Sequence, residues 1–342
     1  MGARKRKSRK GVGLSLTVLL LALLGAGAWM AWSVLTPYGP QAELFVEIAP
    51  GSSVLRIGQQ LETAGVVRSQ VAFDLLRWIR RGRLLAGEYR FDHPATALEV
   101  YERIARGDVY TKSVTVPEGA TVFDIAARLE QAGFGPKEQF LRAQAGETRL
   151  VADLDPQARS LEGYLFPDTY RFPRKATAEQ ICAAMVRRFR QEAARVGLKE
   201  HVHDVVTMAS LVERETAVDG ERPLVASVFA NRLAHHMPLM TDPSVIYGLE
   251  LDGQWRGAIY ASDLKRDTPY NTYVHAGLPP GPIANPGLRS LRAAMEPAKT
   301  DYLYFVAAGD DPQGHSAFSS TLEQHARDVA AYRTAMRKAG AR

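Results

Sequence analysis

Residues 114–133 read VTVPEGATVFDIAARLEQAG. Val114-Thr-Val116 suits a short strand, and Pro117-Glu-Gly119 suits a turn. Val122, Ile125 and Leu129 then recur at spacings of three and four, which predicts a helix that Gly133 closes. The same order appears earlier. Phe45-Val-Glu-Ile-Ala-Pro-Gly51 precedes Val54, Ile57, Leu61 and Gly65, so the two stretches read as a faint internal repeat. Between them, Gly87-Glu-Tyr-Arg-Phe91 suits a second strand and Thr96–Ile104 a further short helix. Short strands mixed with amphipathic helices make the chain α+β.

The second half carries longer helices. Thr177-Ala-Glu-Gln180 is a capping-box pattern and opens a helix running to about Gly197. A helix follows from about His203 to Thr216, and Pro223 sits at the first turn of another that continues through Leu233. Tyr302–Val306 suits a strand and Leu322–Lys338 a closing amphipathic helix. The expected organisation is a small β-α-α-β subdomain over residues 41–112 and an α+β catalytic domain over residues 113–338. The small unit resembles LysM, a glycan-binding module, in pattern, and a plain spacer is the alternative.

The formal net charge of +6 invites a nucleic-acid reading, but its location argues against one. Arg4, Lys5, Arg6, Lys7, Arg9 and Lys10 supply all of it, and no acidic residue precedes Glu43. The remaining 37 basic residues balance the 37 acidic ones. This basic tail, residues 1–10, leads into the uncharged stretch 11–35, which contains Leu14, Leu16, Val18–Leu21, Leu23 and Leu24 and ends with Trp29 and Trp32 near its far side. Roughly 20 such residues span a bilayer as a helix. The basic flank predicts a cytoplasmic N-terminus, with the rest of the chain outside the cytoplasm and held at the inner membrane. A cleaved signal peptide ending at Ala26-Gly27-Ala28 is the competing reading.

Cys182 is the only cysteine, so no intramolecular disulfide forms and stability must come from packing. His201-x-His203 and His235-His236 lack the three or four ligands at recognisable spacing that zinc needs, so no metal or cofactor is expected.

Candidate chemistry concentrates in Met208-Ala-Ser-Leu-Val-Glu-Arg-Glu-Thr216. Glu213 and Glu215 lie about 200° apart around a helix and cannot face each other. Glu215 shares its face with Met208, Leu211 and Val212, an apolar setting that raises a carboxyl pKa and suits a general acid. Glu213 shares its face with Val206, Ala209 and Ser210. Solvated helix charges paired with Arg214 or Arg222 are the bland alternative. Rings and polar side chains also gather on stiff loops, as sugar binding requires. Candidate binding residues are Glu162, Phe166 and Asp168 in Leu161–Tyr170, Thr241, Asp242 and Tyr247 in Thr241–Gly248, and Asn271 in Tyr270-Asn-Thr-Tyr273, with Glu213 beside the acid.

These stretches, in order, resemble the MltG (YceG-like) family of endolytic murein transglycosylases. The matching elements are EGYLFPDTY from Glu162, MASLVERET from Met208, VASVFANRL from Val225, LMTDPSVIYG from Leu239, YNTY from Tyr270, GLPPGPIANPG from Gly277 and AKTDYLYFV from Ala298. The resemblance covers roughly residues 40–335. It implies a single membrane anchor, a LysM-like subdomain, and catalysis by the glutamate directly preceding Thr, which is Glu215. It further implies cleavage of the MurNAc–GlcNAc bond within peptidoglycan strands, leaving a 1,6-anhydroMurNAc end and terminating nascent glycan elongation. Peptidoglycan synthases are the candidate protein partners. Two other readings stand beside it: a noncatalytic peptidoglycan-binding scaffold, and a hydrolase with Asp242, Glu162 or Glu221 as a second carboxylate.

Overall fold

The computed structural model describes residues 9–308 and 314–340; the first eight residues of the basic tail lie outside the described residues. Helix α1 (Arg9–Leu35) contains the apolar span Ser15–Leu35, which has mean hydropathy 2.0 and is almost wholly exposed. The chain divides into two compact units between Thr111 and Lys112.

In the first unit, β1 (Leu44–Ile48) leads through α2 (Val54–Thr63) and α3 (Gln70–Arg80) to β2 (Gly87–Phe91), and α4 (Ala97–Arg106) follows. β1 and β2 pair antiparallel, Leu44 opposite Phe91 and Ile48 opposite Gly87. α2, α3 and α4 each start on a hydroxyl. Ser53 and Ser69 accept from the backbone of Arg56 and Ala72, and Thr96 forms a capping box with Glu99. Such caps stabilise a helix by about 1 kcal/mol each. Val46, Ile48, Ile57, Leu61, Phe73, Tyr89, Phe91 and Ile104 close the core. α3 fills the interval between α2 and β2 although its apolar residues form no single stripe. Ala72, Phe73 and Leu76 are buried, while Val71, Leu75, Trp78 and Ile79 are exposed.

The second unit takes up β3 (Thr111–Thr115) from Lys112 on and contains α5 (Val122–Gln131), α6 (Lys137–Gly146), β4 (Thr169–Pro173), α7 (Ala178–Val196) and α8 (Val202–Glu215). It continues with α9 (Arg222–Ala234), α10 (Asp242–Leu251), α11 (Leu288–Met295), β5 (Tyr304–Ala307), β6 (Ser316–Ser319) and α12 (Leu322–Gly340). β3 pairs with β4, and β5 pairs antiparallel with β6. The Thr177 capping box opens α7 and left-handed Gly197 closes it. Cys182 is buried in the core with Ile181, Met185 and Phe189.

α8 is the spine of this unit. Every residue from Val206 to Val212 is buried, as expected of a helix covered on both sides. Val206 and Ala209 enter one core with α5, α6 and α7. Met208, Leu211 and Val212 enter another with α9, α10 and Ile283. The loop 162–167 meets the loop 282–287 against this spine through a buried polar knot. The Asn285 side chain accepts from Leu165 N–H at 2.9 Å and donates to the Ala120 carbonyl at 2.9 Å and to Glu162 at 2.6 Å. Glu162 also accepts from Val122 N–H at 2.9 Å, and Ser210 Oγ from Ile283 N–H at 3.0 Å.

Gly163 is the tightest point of that knot. It has φ +86°, and a Cβ there would stand 2.5 Å from Pro282 Cγ and 2.8 Å from Val206 Cγ1. Gly163→Ala should therefore lower stability by roughly 2–5 kcal/mol, combining a left-handed backbone with overpacking. The drop should be visible as a lower thermal midpoint of the full-length protein in detergent.

Candidate active site

Glu215 is the last residue of α8, and Thr216 stops the helix by turning extended, at φ −138° and ψ 136°. The Thr216 hydroxyl donates to Glu221 and accepts from Val218 N–H, fixing the exit of the chain. Arg214 reaches the Gly119 carbonyl at 3.1 Å. Glu213 turns into the protein, where its side chain is 4% exposed. There it pairs with Arg222 at 3.1 Å and accepts from Gly287 N–H at 2.8 Å. Each residue of Glu213-Arg-Glu-Thr216 thus has a different neighbourhood, and Glu215 opens onto a cavity.

That cavity is a cleft of about 430 Å³. Its polar lining is Glu215, Arg232, Thr241, Asp242, Tyr273 and His325, and its apolar walls include Phe229, Leu239, Met240, Phe305 and Leu322. Burial, then the Asp242 charge, raise Glu215 to about 7 against the opposing pull of Arg232 and Arg214. Arg232 is itself fixed. It donates to the Leu303 and Leu239 carbonyls at 2.7 Å each and lies over the Tyr304 ring at 5.5 Å. Tyr273 donates to Asp242 at 2.6 Å, and burial followed by that bond pushes its phenol pKa up. His325 stacks on Tyr304 with ring centroids 5.1 Å apart, and burial, then Arg232, lower its pKa. A carboxyl that can hold or release a proton near neutrality, among fixed donors in an open cleft, can perform general acid and base steps.

Of the residues expected to surround Glu215, Thr241 and Asp242 are at the cleft. The structure does not bring the others there. Glu162 is fully buried, raised by burial to about 8, and held by Val122, Asn285 and Tyr247. Tyr247 is buried against that carboxyl and against Tyr270. Phe166 lies in the core under Arg188, which also pairs with Asp168 at 2.8 Å. Asn271 is buried and clamps the loop: its amide donates to the carbonyls of Asp263, Leu264 and Arg266, and its oxygen accepts from Tyr273 N–H. Glu221 accepts from Ser316 and Thr216. His203 is given to Asp155 at 2.8 Å.

Sequence reasoning assigned no role to Arg232, Tyr273 or His325. Tyr273 is the last residue of YNTY, and Arg232 lies in VASVFANRL, so both sat inside motifs already singled out. His325, on α12, carries no local signal.

A family model described as YceG-like matches residues 46–331, and so includes every cleft residue named above. The chain belongs to the YceG-like family. Among relatives, the endolytic murein transglycosylase of Bacillus subtilis is 35% identical over 301 residues, covering 82% of each chain. That of Streptococcus pneumoniae D39 is 31% identical over 352 residues, covering 92% of this chain and 64% of the relative. The chain therefore spans less than two thirds of the length of that pneumococcal protein. A crystal structure of a YceG-like protein from Listeria monocytogenes superposes with TM-score 0.54 at 34% identity, covering 84% of this chain and 99% of the other. At that identity the likeness extends to sequence as well as fold.

Two outcomes follow for this YceG-like protein. Asn271→Ala removes three donated bonds and one accepted bond inside a buried loop, so it should cost roughly 2–4 kcal/mol. A lowered thermal midpoint checks it, whereas a cleft contact alone would leave the midpoint unchanged. The raised Glu215 carboxyl has the opposite sign to an ordinary ion-paired acid. The folded protein retains a proton that the unfolded chain releases near 4.5, so this group's contribution to stability declines as pH rises from about 4.5 through about 7. Glu215→Gln should flatten that part of the stability–pH curve, as followed by thermal unfolding at several pH values.

Proposed function

We propose that this protein is a membrane-anchored endolytic lytic transglycosylase acting within peptidoglycan strands. The observation that carries the reading is Glu215, a carboxyl raised to about 7 at an open cleft beside Asp242, Tyr273 and Arg232. The names of the relatives supply the substrate class. In this reading Glu215 protonates the glycosidic oxygen between MurNAc and GlcNAc. The resulting carboxylate takes the proton from the muramyl C6 hydroxyl as that oxygen closes onto C1, giving a 1,6-anhydroMurNAc end. The nucleophile belongs to the substrate and is held at high effective concentration. A second catalytic carboxylate is not required, which separates this chemistry from ordinary glycoside hydrolysis. Asp242 then serves as a fixed negative charge, Arg232 as a donor to sugar oxygens, and Tyr273, whose proton is given to Asp242, as an acceptor from a sugar hydroxyl.

The span Ser15–Leu35 anchors the protein, with the basic tail cytoplasmic and the catalytic domain, residues 113–338, on the outer face of the inner membrane. The β-α-α-β unit between β1 and β2 is LysM-like and holds glycan near the membrane. Cutting there terminates elongation of nascent strands, alongside peptidoglycan synthases.

Glu215→Gln tests the mechanism because it keeps the shape of the side chain and removes its proton chemistry. Formation of anhydro ends on peptidoglycan strands should fall by a factor of roughly 10²–10⁴. Glu213→Gln should instead register mainly in stability, because it weakens a buried ion pair with Arg222. Wild-type production of anhydro ends by a folded Glu215→Gln protein would refute the role. Products heavier by one water would mark a hydrolase, and no glycan release by the wild type would mark a scaffold.

A further inference from the structure

Helix α3 carries more apolar surface than its own core uses. Ala72, Phe73 and Leu76 are buried, and they account for one side of the helix. On the adjoining side Val71, Leu75, Trp78 and Ile79 are 63%, 38%, 68% and 61% exposed. At 100° per residue these four fall within about 100° of arc, so they form one continuous stripe. Leu55 of α2 is 65% exposed. It adjoins the start of α3, where the Gln70 side chain donates to the Leu55 carbonyl at 3.3 Å. Beyond the C-terminal end of the stripe the chain continues into the exposed Arg80, Arg81 and Arg83. A contiguous exposed stripe of this kind marks an interaction site rather than ordinary surface scatter.

The fold says what lies beside it. α3 packs against α1, the helix with the apolar span. The clamp is at the end of that span. Arg68, just before α3, lies 3.8 Å from the centroid of the Trp32 ring and 4.6 Å from that of Tyr38. Ser33 is buried and Val34 packs into the first unit's core. Trp32 is about 4.5 Å along the helix axis short of Leu35, so the docked turn is the one at which α1 leaves the apolar region. With α1 as a membrane anchor, this contact sets α3 at the level of a bilayer interface. There an aliphatic and indole stripe that ends in arginines matches the chemistry of lipid: acyl chains for the stripe, phosphates for the guanidinium groups.

We propose that α3 is an interfacial membrane helix, its Val71–Ile79 stripe immersed in the outer part of the leaflet that α1 leaves. This rests on the reading of α1 as a membrane anchor and adds a second contact to it. One transmembrane helix alone leaves the attached unit free to tilt and rotate. A second, laterally displaced contact fixes the height and orientation of the first unit above the bilayer.

The test uses the full-length chain in vesicles of phosphatidylethanolamine and phosphatidylglycerol. In a Cys182→Ala background, single spin labels are placed by Leu21→Cys in α1 and by Leu75→Cys, Trp78→Cys, Ile79→Cys, Arg77→Cys and Arg81→Cys along α3. Collision with oxygen is compared with collision with a water-soluble nickel chelate. The oxygen-to-nickel ratio should be severalfold higher at 75, 78 and 79 than at 77 and 81, with a helical period, and highest at 21. A uniformly aqueous profile across α3, with position 21 still in lipid, would overturn this proposal and leave the anchor standing. Aqueous readings at both 21 and 78 would overturn the anchor reading and this one with it. Protection of position 78 only after peptidoglycan strands are added would overturn it in favour of a glycan-binding face.

Discussion

A helix covered on both faces can offer only its ends to solvent, and the catalytic unit is arranged around that constraint. α8 is buried from Val206 to Val212 between two cores, so neither its direction nor its rotation is free. Its C-terminal residue must then appear at a set place with a set orientation. Thr216 breaks the helix immediately, which leaves Glu215 at the edge of the apolar mass rather than inside it. The same rotation sends Glu213 into the protein, where Arg222 and the Gly287 N–H compensate its charge. Two carboxylates of the same type, two residues apart, acquire opposite uses from one helical turn.

The loops around α8 show why polar residues on stiff turns are ambiguous signals. Every buried polar group must find a partner, so a side chain rich in donors and acceptors can hold a loop as readily as it can hold a ligand. Asn285 joins three segments of the sequence at once: the turn before α5, the loop around Glu162 and its own proline-rich stretch. Asn271 does the same within a single loop. Thr272 links that loop to the start of α10 by accepting from Thr241 N–H at 2.9 Å and bonding Ser244 at 2.9 Å. The outcome of all this holding is delivered by one residue further on, Tyr273, which meets Asp242 in the cleft.

These facts explain what was legible beforehand. Helices with a cap, a single apolar stripe and a terminal glycine, such as α5 and α7, announce themselves because local signals and packing agree. α3 does not, since its apolar residues cover two adjoining faces. The desolvated setting of Glu215 could be inferred from Met208, Leu211 and Val212 because helical spacing is enough to place them on its face. Helical spacing could not supply the cleft partners, of which only Thr241 and Asp242 were expected from their motif. Arg232, Asp242, Tyr273 and His325 come from four separate elements or loops, and only tertiary packing brings them to one carboxyl. Aromatic and amide residues in the named motifs looked like sugar contacts, yet Glu162, Tyr247 and Asn271 are buried in networks that position the loops.

The electrostatics of the cleft are a balance rather than a single effect. Burial alone would favour a neutral Glu215, and the Asp242 charge pushes the same way. Arg232 opposes both, and because burial also weakens the guanidinium's own hold on its proton, its stabilisation of a neighbouring negative charge is offset by the cost of its own desolvation. The result, about 7, suits a group that must act twice in the proposed reaction, first losing a proton to the departing oxygen and then regaining one from the C6 hydroxyl. Raising the value further would slow the first transfer and lowering it would slow the second. Tyr273 matters to this balance without touching Glu215's proton, because its bond to Asp242 fixes where the second negative charge stands. Two carboxylates in one cleft need not share the chemistry: one is tuned, chiefly by burial, and the other, held by a phenol, adds a fixed charge to that tuning.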